Sequence, residues 1–482
     1  MASAAQLLKK LASQTAVYGI SAILSKFLNY LLTPFLTRVM PDATYGQVNL
    51  LYGIIPFANV ILTMGLATGY FRYAAKCQTL GDKRQLFTTT WGAVSFMALL
   101  FGLLMGLGNN SLAETMRLAP ECIAAMTALI VVDNIAAIPL AALREQGKAV
   151  YYTVVNVSGV LVNLVACILF YTYIPGASTN PLWVLVANLI ASTVSLLLLL
   201  PNTLRLVSSA FSMRLLRSIF TYSIPLMMAG IMGVSGDFID RQLIYYMLPP
   251  GEADAQLGIY TAVVKIAALL MIFRQIYTLG AEPFFLQGFS KEDFRSANAA
   301  ATKYFIIAGI AIYLLLALFD QEFAYIVGSD YRGGMGILPL LLFANLLAGV
   351  LVNLSFWYKA ADKTRVAIYI TGFGVVVTLI INMMLIPKMG YYGAAVARVV
   401  SMVLMVTLSY CLCQKYFPVP FDLRRIGFYF LLGGVIFALS YATALLPDWG
   451  RITLNFLLLL IYLLTALKVE LRGRSIRSLW KK

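Results

Sequence analysis

Fourteen stretches of mostly apolar residues follow one another along the chain, each bounded by a short polar connection. They run roughly 15–37, 46–66, 86–107, 119–142, 151–173, 182–202, 217–237, 258–280, 301–319, 335–358, 365–386, 391–413, 425–446 and 452–469. A helix needs about 20 apolar residues to cross a bilayer, so each stretch predicts one transmembrane helix. The longest outer connection, 238–257, is about 20 residues and no connection is longer, which is too short for a soluble domain. The pattern therefore predicts an all-α membrane protein of 14 transmembrane helices.

The chain also repeats itself. Tyr18-Gly19-Ile20 opens helix 1 and Tyr222-Ser223-Ile224 opens helix 7. Arg38 corresponds to Arg241, Tyr45-Gly46 to Tyr260, and Arg144 with Lys148 to Lys359 with Lys363. The later matches share one offset, as a single insertion between helices 7 and 8 would produce. Two six-helix lobes in pseudo-twofold parallel repeat follow, with two extra C-terminal helices. The expected domains are an N-terminal lobe over 1–210, a C-terminal lobe over 211–420, and helices 13 and 14 with a basic tail over 421–482.

Composition agrees with lipid as the solvent. Hydrophobic residues are 61% of the 482, charged residues 12%, and the mean hydropathy is +0.84. A soluble fold carries about 25% charged residues, so a soluble enzyme and a disordered chain are excluded. The absence of histidine removes His-based triads, ligands and proton relays. The five cysteines form no CxxC pair and read as small apolar residues. Lys9 and Lys10 precede no small-residue cleavage site, so the first stretch reads as a retained span.

The net charge of +16 has a topological reading. With the N-terminus inside, 26 of the 36 Lys and Arg fall on inner connections and six on outer ones. That split matches the positive-inside rule and puts both termini in the cytoplasm. No nucleic-acid partner is needed to explain the charge.

Four cations remain within spans: Lys26, Lys265, Arg274 and Arg398. A charge at the bilayer centre costs about 2.5–3.5 kcal/mol on insertion scales, so each needs a water-filled path, a partner or a snorkelling route. Helix 1 divides on a helical wheel. Thr15, Tyr18, Ser21, Ser25, Lys26, Asn29, Tyr30, Thr33 and Thr37 share one half, which suits a cavity. Lys265 and Arg274 lie nine residues apart, on opposite sides of an ideal helix, and Lys265 is the better cavity candidate. Arg274 has a snorkelling alternative, and Arg398 a bond to a neighbouring helix. Asp133, beside Asn134, is the one acid deep in a span, open to charge pairing or to a role in ion coupling. Asp237, Asp240 and Arg241 read as an outer boundary cluster or a solvated helix end. Weaker polar stripes include Asn59 with Thr63, and Asn188 with Ser192 and Ser195. Four cations against one acid suit an anionic cargo such as a pyrophosphate. A cation exporter predicts the opposite sign.

Ile386-Pro387-Lys388-Met389-Gly390-Tyr391-Tyr392-Gly393-Ala394-Ala395-Val396-Ala397 resembles the IP-x-x-G-x-x-GAA-x-A signature of the multidrug/oligosaccharidyl-lipid/polysaccharide exporter superfamily. Its Pro and Gly residues suit a tight outer turn, and its small residues suit close helix packing. Arg38-Val39-Met40-Pro41 before Tyr45-Gly46, the Pro139 to Gly147 stretch and Gly258-Ile259-Tyr260 add weaker matches. Fourteen spans resemble the polysaccharide (O-antigen, Wzx-type) flippases and the lipid II flippases, whereas the drug-extrusion branch usually has twelve.

The resemblance implies flipping of an undecaprenyl-pyrophosphate-linked oligosaccharide from the inner to the outer leaflet of the bacterial cytoplasmic (inner) membrane. It implies alternating access by two lobes, with no enzyme chemistry, cofactor or metal. Lys26, Asn29, Lys265, Arg274 and Arg398 become the expected cationic cavity, with Asp133 for coupling or charge pairing. The expected partners are the lipid-linked oligosaccharide, membrane lipid, a polysaccharide polymerase and a chain-length regulator. Two departures from the family stand out: helix 2 has no basic residue within its span, and Arg398 replaces a small polar residue. The alternatives are an ion-coupled multidrug antiporter of the same superfamily and a membrane-embedded polysaccharide polymerase.

Overall fold

The computed structural model describes residues 30, 32–208, 210–286, 291–360, 363, 365–443 and 446–471. The described residues contain no strand. The helices are α1 (described over 32–39), α2 (Asp42–Thr63), α3 (Leu80–Leu107), α4 (Pro120–Glu145), α5 (Ala149–Tyr173), α6 (Leu182–Leu206) and α7 (Met213–Met247). They continue as α8 (Glu252–Leu286), α9 (Lys291–Leu318), α10 (Leu338–Ala360), α11 (Arg365–Met389), α12 (Tyr391–Tyr416), α13 (Leu423–Thr443) and α14 (Asp448–Leu471). Short helices at Leu66–Ala74, Asn109–Thr115 and Asp320–Ala324 lie between them. Among the described residues, 13 helices are long and apolar enough to cross a membrane. Most of the first predicted span lies outside those residues. The chain is a multi-pass membrane protein.

The predicted ends differ from the observed ones in one systematic way. The helices run past the bilayer: α7 and α8 are 35 residues each, or about 50 Å at 1.5 Å per residue. The predicted outer loop 238–257 is therefore helix except for four residues, 248–251. Asp237, Asp240 and Arg241 lie within α7 rather than at a solvated end, and Asp240 is 1% exposed. Asp254 is likewise half-buried in the first turn of α8 and accepts a hydrogen bond from Gln47 Nε2 at 3.1 Å.

The chain divides into two compact units that meet in sequence at Thr261 and Ala262, inside α8. In the first unit α3 packs on α4, α4 on α6, and α5 on α6. In the second, α9 packs on α10, α10 on α12, and α11 on α12. Each pairing recurs six helices later, which is what a parallel repeat requires. Each bundle excludes lipid from its centre with fully buried side chains, such as Phe87, Ile138 and Ile219 in the first and Phe356, Trp357 and Cys413 in the second.

The signature segment folds as its residues suggest. Pro387 sits in the last turn of α11, and Gly390 takes φ +56° and ψ −136°, a conformation essentially reserved for glycine. The chain then reverses into α12. A Cβ at Gly393 would lie 2.6 Å from the Leu385 carbonyl, and Ala394, Ala395 and Ala397 are fully buried.

Helices α13 and α14 pack on each other and on α9. Ion pairs hold both ends. Lys303 meets Glu470 at 2.5 Å, with the Tyr429 hydroxyl donating to the other carboxylate oxygen at 3.0 Å. At the opposite end Arg451 meets Glu322 at 2.6 Å. Asn455 Nδ2 also donates to the Leu318 carbonyl at 2.6 Å, in the buried seam.

Candidate substrate cavity and coupling site

Lys26 and Asn29 lie outside the described residues. The described end of the polar face of α1 is buried: Thr33 is 1% and Thr37 3% exposed. Thr37 Oγ1 donates to the Thr33 carbonyl at 2.8 Å, and Thr33 hydrogen-bonds Tyr45 of α2. This part of the polar half is therefore turned toward protein.

Asp133 is held at the centre of a polar cluster in the first unit. It sits mid-way along α4, where an apolar surround disfavours a carboxylate unless donors reach it. Ser192 Oγ of α6 donates to Asp133 Oδ1 at 2.6 Å, and the Asn59 side chain of α2 is a second hydrogen-bond partner. Asn134 Nδ2 donates to Asn59 Oδ1 at 2.7 Å and to the Ile130 carbonyl at 2.8 Å. The donors thus run Asn134 to Asn59 to Asp133, with Ser192 closing from α6. Nearby, Asn188 Nδ2 donates to the Tyr52 hydroxyl at 3.3 Å. Three helices supply the cluster, and the Asp133 carboxylate is met by a hydroxyl and an amide. Such a site can hold a proton, or a small cation among oxygen ligands.

A second polar cluster lies where the first turns of α2 and α8 cross. Asp42-Ala43-Thr44-Tyr45-Gly46 and Asp254-Ala255-Gln256-Leu257-Gly258 are the same pattern in the two repeats. A Cβ at Gly46 would lie 1.8 Å from the Asp254 carbonyl oxygen; one at Gly258 would lie 2.0 Å from that of Asp42. The contact is reciprocal, so a local twofold axis passes between the glycines. Around it, Tyr260 donates to Asp240 at 2.9 Å and Arg241 Nη1 to the Asn49 carbonyl at 3.2 Å. The sequence reading matched Tyr45-Gly46 with Tyr260 and passed over the Asp-Ala-x-x-Gly repeat, which was visible in the residues themselves.

The other three cations fall in the second unit, all half-buried. The packed side of α8 carries Ala262, Val263, Ile266, Ala267 and Leu270. Arg274 is seven residues from Ala267, within about 20° of it on a helix of 3.6 residues per turn. Lys265 is eleven residues from Ile276, again within about 20°, and Ile276 is 50% exposed. Lys265 and Arg274 therefore lie on opposite sides of α8: Lys265 on the side that is buried at Gly258 and Thr261 and opens toward Ile276, and Arg274 on the side of Ala267, whose carbonyl accepts from Asn345 Nδ2 of α10 at 3.0 Å. Arg398 of α12 lies between Ala394, Ser401 and Met405, all buried. Helix α12 is tied to α11 there by a 2.9 Å bond between Thr378 and Ser401.

Comparison with known proteins follows this architecture. The fold is similar to "Lipid II flippase MurJ, inward closed conformation", with a TM-score of 0.75, 12% identity, and 95% of this chain and 99% of that one covered. It is also similar to an inward-facing multidrug resistance MATE transporter of the MOP superfamily, with a TM-score of 0.63, 16% identity, and coverage of 84% and 94%. In sequence it is 24% identical over 229 residues to the probable low-salt glycan biosynthesis flippase Agl15 of Haloferax volcanii. That match takes in 46% of this chain and 48% of the relative, so it spans about half of each. The family described as polysaccharide biosynthesis protein matches residues 11–289, more than half of the chain. With its membrane helices and repeat, this chain belongs to the polysaccharide biosynthesis protein family.

Proposed function

We propose that the protein flips a lipid-linked oligosaccharide, carried on undecaprenyl pyrophosphate, from the inner to the outer leaflet of the cytoplasmic membrane. The observation that carries this reading is the sign of the intramembrane charge. Lys26, Lys265, Arg274 and Arg398 stand against Asp133 within the predicted spans, and counting Asp237, Asp240 and Arg241 of α7 still leaves five cations against three acids. Among the described residues, the hydrogen-bond partners of Asp133 are Ser192 and Asn59. A cationic interior favours a pyrophosphate over a cationic drug. Family membership and the flippase relative support the same reading.

Lys265 of α8 and Lys26 with Asn29 on the polar half of the first predicted span form the proposed phosphate grip. Arg274 and Arg398 belong to the same proposed cationic cavity. The prenyl tail stays in lipid, and the expected polysaccharide polymerase and chain-length regulator act on the delivered cargo. The domain division at 210 and 420 gives two rocking lobes, with both termini cytoplasmic. The reciprocal glycine crossing of α2 and α8 is then the outer closure of the cavity, which must part for release. No covalent step is required, so the protein works as a transporter and not as an enzyme.

Asp133 supports a second element of this reading. A carboxylate held by a hydroxyl and an amide can take up and release a proton, coupling transport to the gradient. An ion-coupled antiporter of organic cations would use the same site, and the MATE likeness in fold is the observation in its favour. Depletion in the native host separates the two. Undecaprenyl-linked saccharides accumulating on the inner leaflet, with loss of surface polysaccharide, are expected. Normal surface polysaccharide with raised sensitivity to cationic drugs would transfer the assignment to the antiporter.

A further inference from the structure

The crossing of α2 and α8 is reciprocal in its backbone but not in its side chains. Asp254 lies four residues before the apolar stretch 258–280, at the outer end of α8, and its Oδ2 accepts from Gln47 Nε2 of α2 at 3.1 Å. Gln47 directly follows Gly46, whereas Ile259 directly follows Gly258, so the second copy has no side-chain donor at that place. Asp42, the counterpart of Asp254, turns its Oδ1 to the Ala43 N–H of its own helix at 2.7 Å. The other oxygen of Asp254, Oδ1, is buried and has no hydrogen-bond partner among the described residues. One half-compensated carboxyl group therefore sits at the point where the two helices cross.

The cost of that arrangement depends on a proton. A carboxylate oxygen shut from water without a donor is costly, and protonation removes the charge that burial penalises. None of the charged or titratable groups described around Asp254 supplies the missing donor. From the connection between α3 and α4 comes Arg117, which is exposed and lies over the Tyr245 ring of α7, 5.9 Å from its centroid. Tyr245 gives its hydroxyl proton to the Met116 carbonyl. Deeper on α7, Asp240 is bonded to Tyr260, and Arg241 to the Asn49 carbonyl. Asp42 of α2 is bonded within its own helix, and Glu252 of α8 is exposed. Burial accordingly holds the Asp254 carboxyl above its ordinary range, against the smaller opposing pull of Gln47 and Arg117. When the crossing parts, water reaches both oxygens and the group returns toward its ordinary value of about 3.9. The shut crossing thus binds the proton more tightly than the parted one. By linkage, acid on the outer side favours the shut crossing, and each pH unit between the two values favours parting by up to about tenfold.

We propose that Asp254 is a pH-sensitive latch on the outer closure: the crossing stays shut while Asp254 carries a proton and is free to part once that proton leaves to the outer aqueous phase. This rests on the reading of the α2–α8 crossing as the outer closure. The test uses the full chain in lipid nanodiscs, with its five cysteines replaced by alanine and spin labels on Pro41→Cys and Glu252→Cys, both exposed positions. The distance between the labels is measured from mildly acidic to mildly alkaline pH. A longer-distance population is expected to grow as pH rises, by up to about tenfold per unit. Asp254→Asn, uncharged but still an acceptor for Gln47, should hold the short distance at every pH. Asp42→Asn should leave the pH response unchanged. Should Asp254→Asn fail to fold, Gln47→Lys sets an ammonium against the carboxylate, stabilises its ionised form in the shut crossing and should flatten the response likewise. A response that survives in either of these variants, or a wild-type distance that does not change with pH, overturns the proposal. Depletion in the host tests the flippase reading separately. Cargo accumulation there with no pH response here removes the latch alone, and a pH response without cargo accumulation keeps the latch and reassigns what passes it.

Discussion

Individual polar residues within an apolar chain are where function is concentrated here, because each has to be compensated. Asp133 shows how this is done. Its carboxylate is met by the Ser192 hydroxyl at 2.6 Å and by the Asn59 amide, which Asn134 orients in turn. Asp133→Asn keeps an oxygen for Ser192 and should change stability by no more than about 1 kcal/mol. If the site couples transport to protons, export in that variant no longer responds to collapse of the proton gradient, which a vesicle flipping assay with and without an uncoupler reads. Ser192→Ala leaves one carboxylate oxygen without its donor and should cost about 1–3 kcal/mol in thermal unfolding. Lys265 lies on the side of α8 opposite Arg274. Lys265→Ala should lower surface polysaccharide by about tenfold or more through loss of a charge-assisted contact, with the protein still folded and inserted. Lys265→Arg should retain part of it. Normal export in Lys265→Ala would remove Lys265 from the cavity.

At the scale of helices, one glycine decides how the chain turns between two of them. Gly390 reverses the chain between α11 and α12 with a backbone conformation that a Cβ strains. Gly390→Ala should cost about 1–3 kcal/mol, read as a lower unfolding temperature in detergent. The count of elements was plain in the sequence because lipid demands apolar runs of fixed length. Their ends were not, because nothing in the apolar pattern reports how far a helix continues into the aqueous layer. That is why 238–257 read as a loop and Asp240 as a solvated residue, when α7 carries it into a bond with Tyr260. The polar faces were partly legible. Asn59 and Ser192 stood out at helical spacing, but their meeting at Asp133 depends on the rotation and depth of three helices. Nine residues between Lys265 and Arg274 set them on opposite sides of α8, since that helix runs unbroken through both. The Asp-Ala-x-x-Gly repeat was equally legible, but its meaning required seeing that the two copies touch.

The whole molecule combines a bundle repeated six helices later with one helix, α8, that passes from the first compact unit into the second at Thr261. Lys265 lies one turn beyond that passage, and Gly258 one turn before it. A motion that separates α2 from α8 would therefore move the glycine crossing and displace the lysine together. The added pair α13 and α14 is fastened to α9 by Glu470 with Lys303 at one end and by Asn455 with the Leu318 carbonyl at the other, where Arg451 also meets Glu322 of the short helix Asp320–Ala324. Such a pair is expected to move as one body with α9. The same geometry gives the most direct test of alternating access. Gln47 and Asp254 are hydrogen-bonded across the crossing at 3.1 Å, so cysteines at both positions can be joined by a short thiol-reactive linker. If the crossing is the proposed outer closure, fastening it should stop flipping in vesicles while the protein stays folded. A cleavable linker should restore it on reduction, and each single-cysteine variant should work throughout. Flipping that continues in the fully linked protein would show that release does not require α2 and α8 to separate. The cargo would then have to leave by a route that keeps the two glycines in contact.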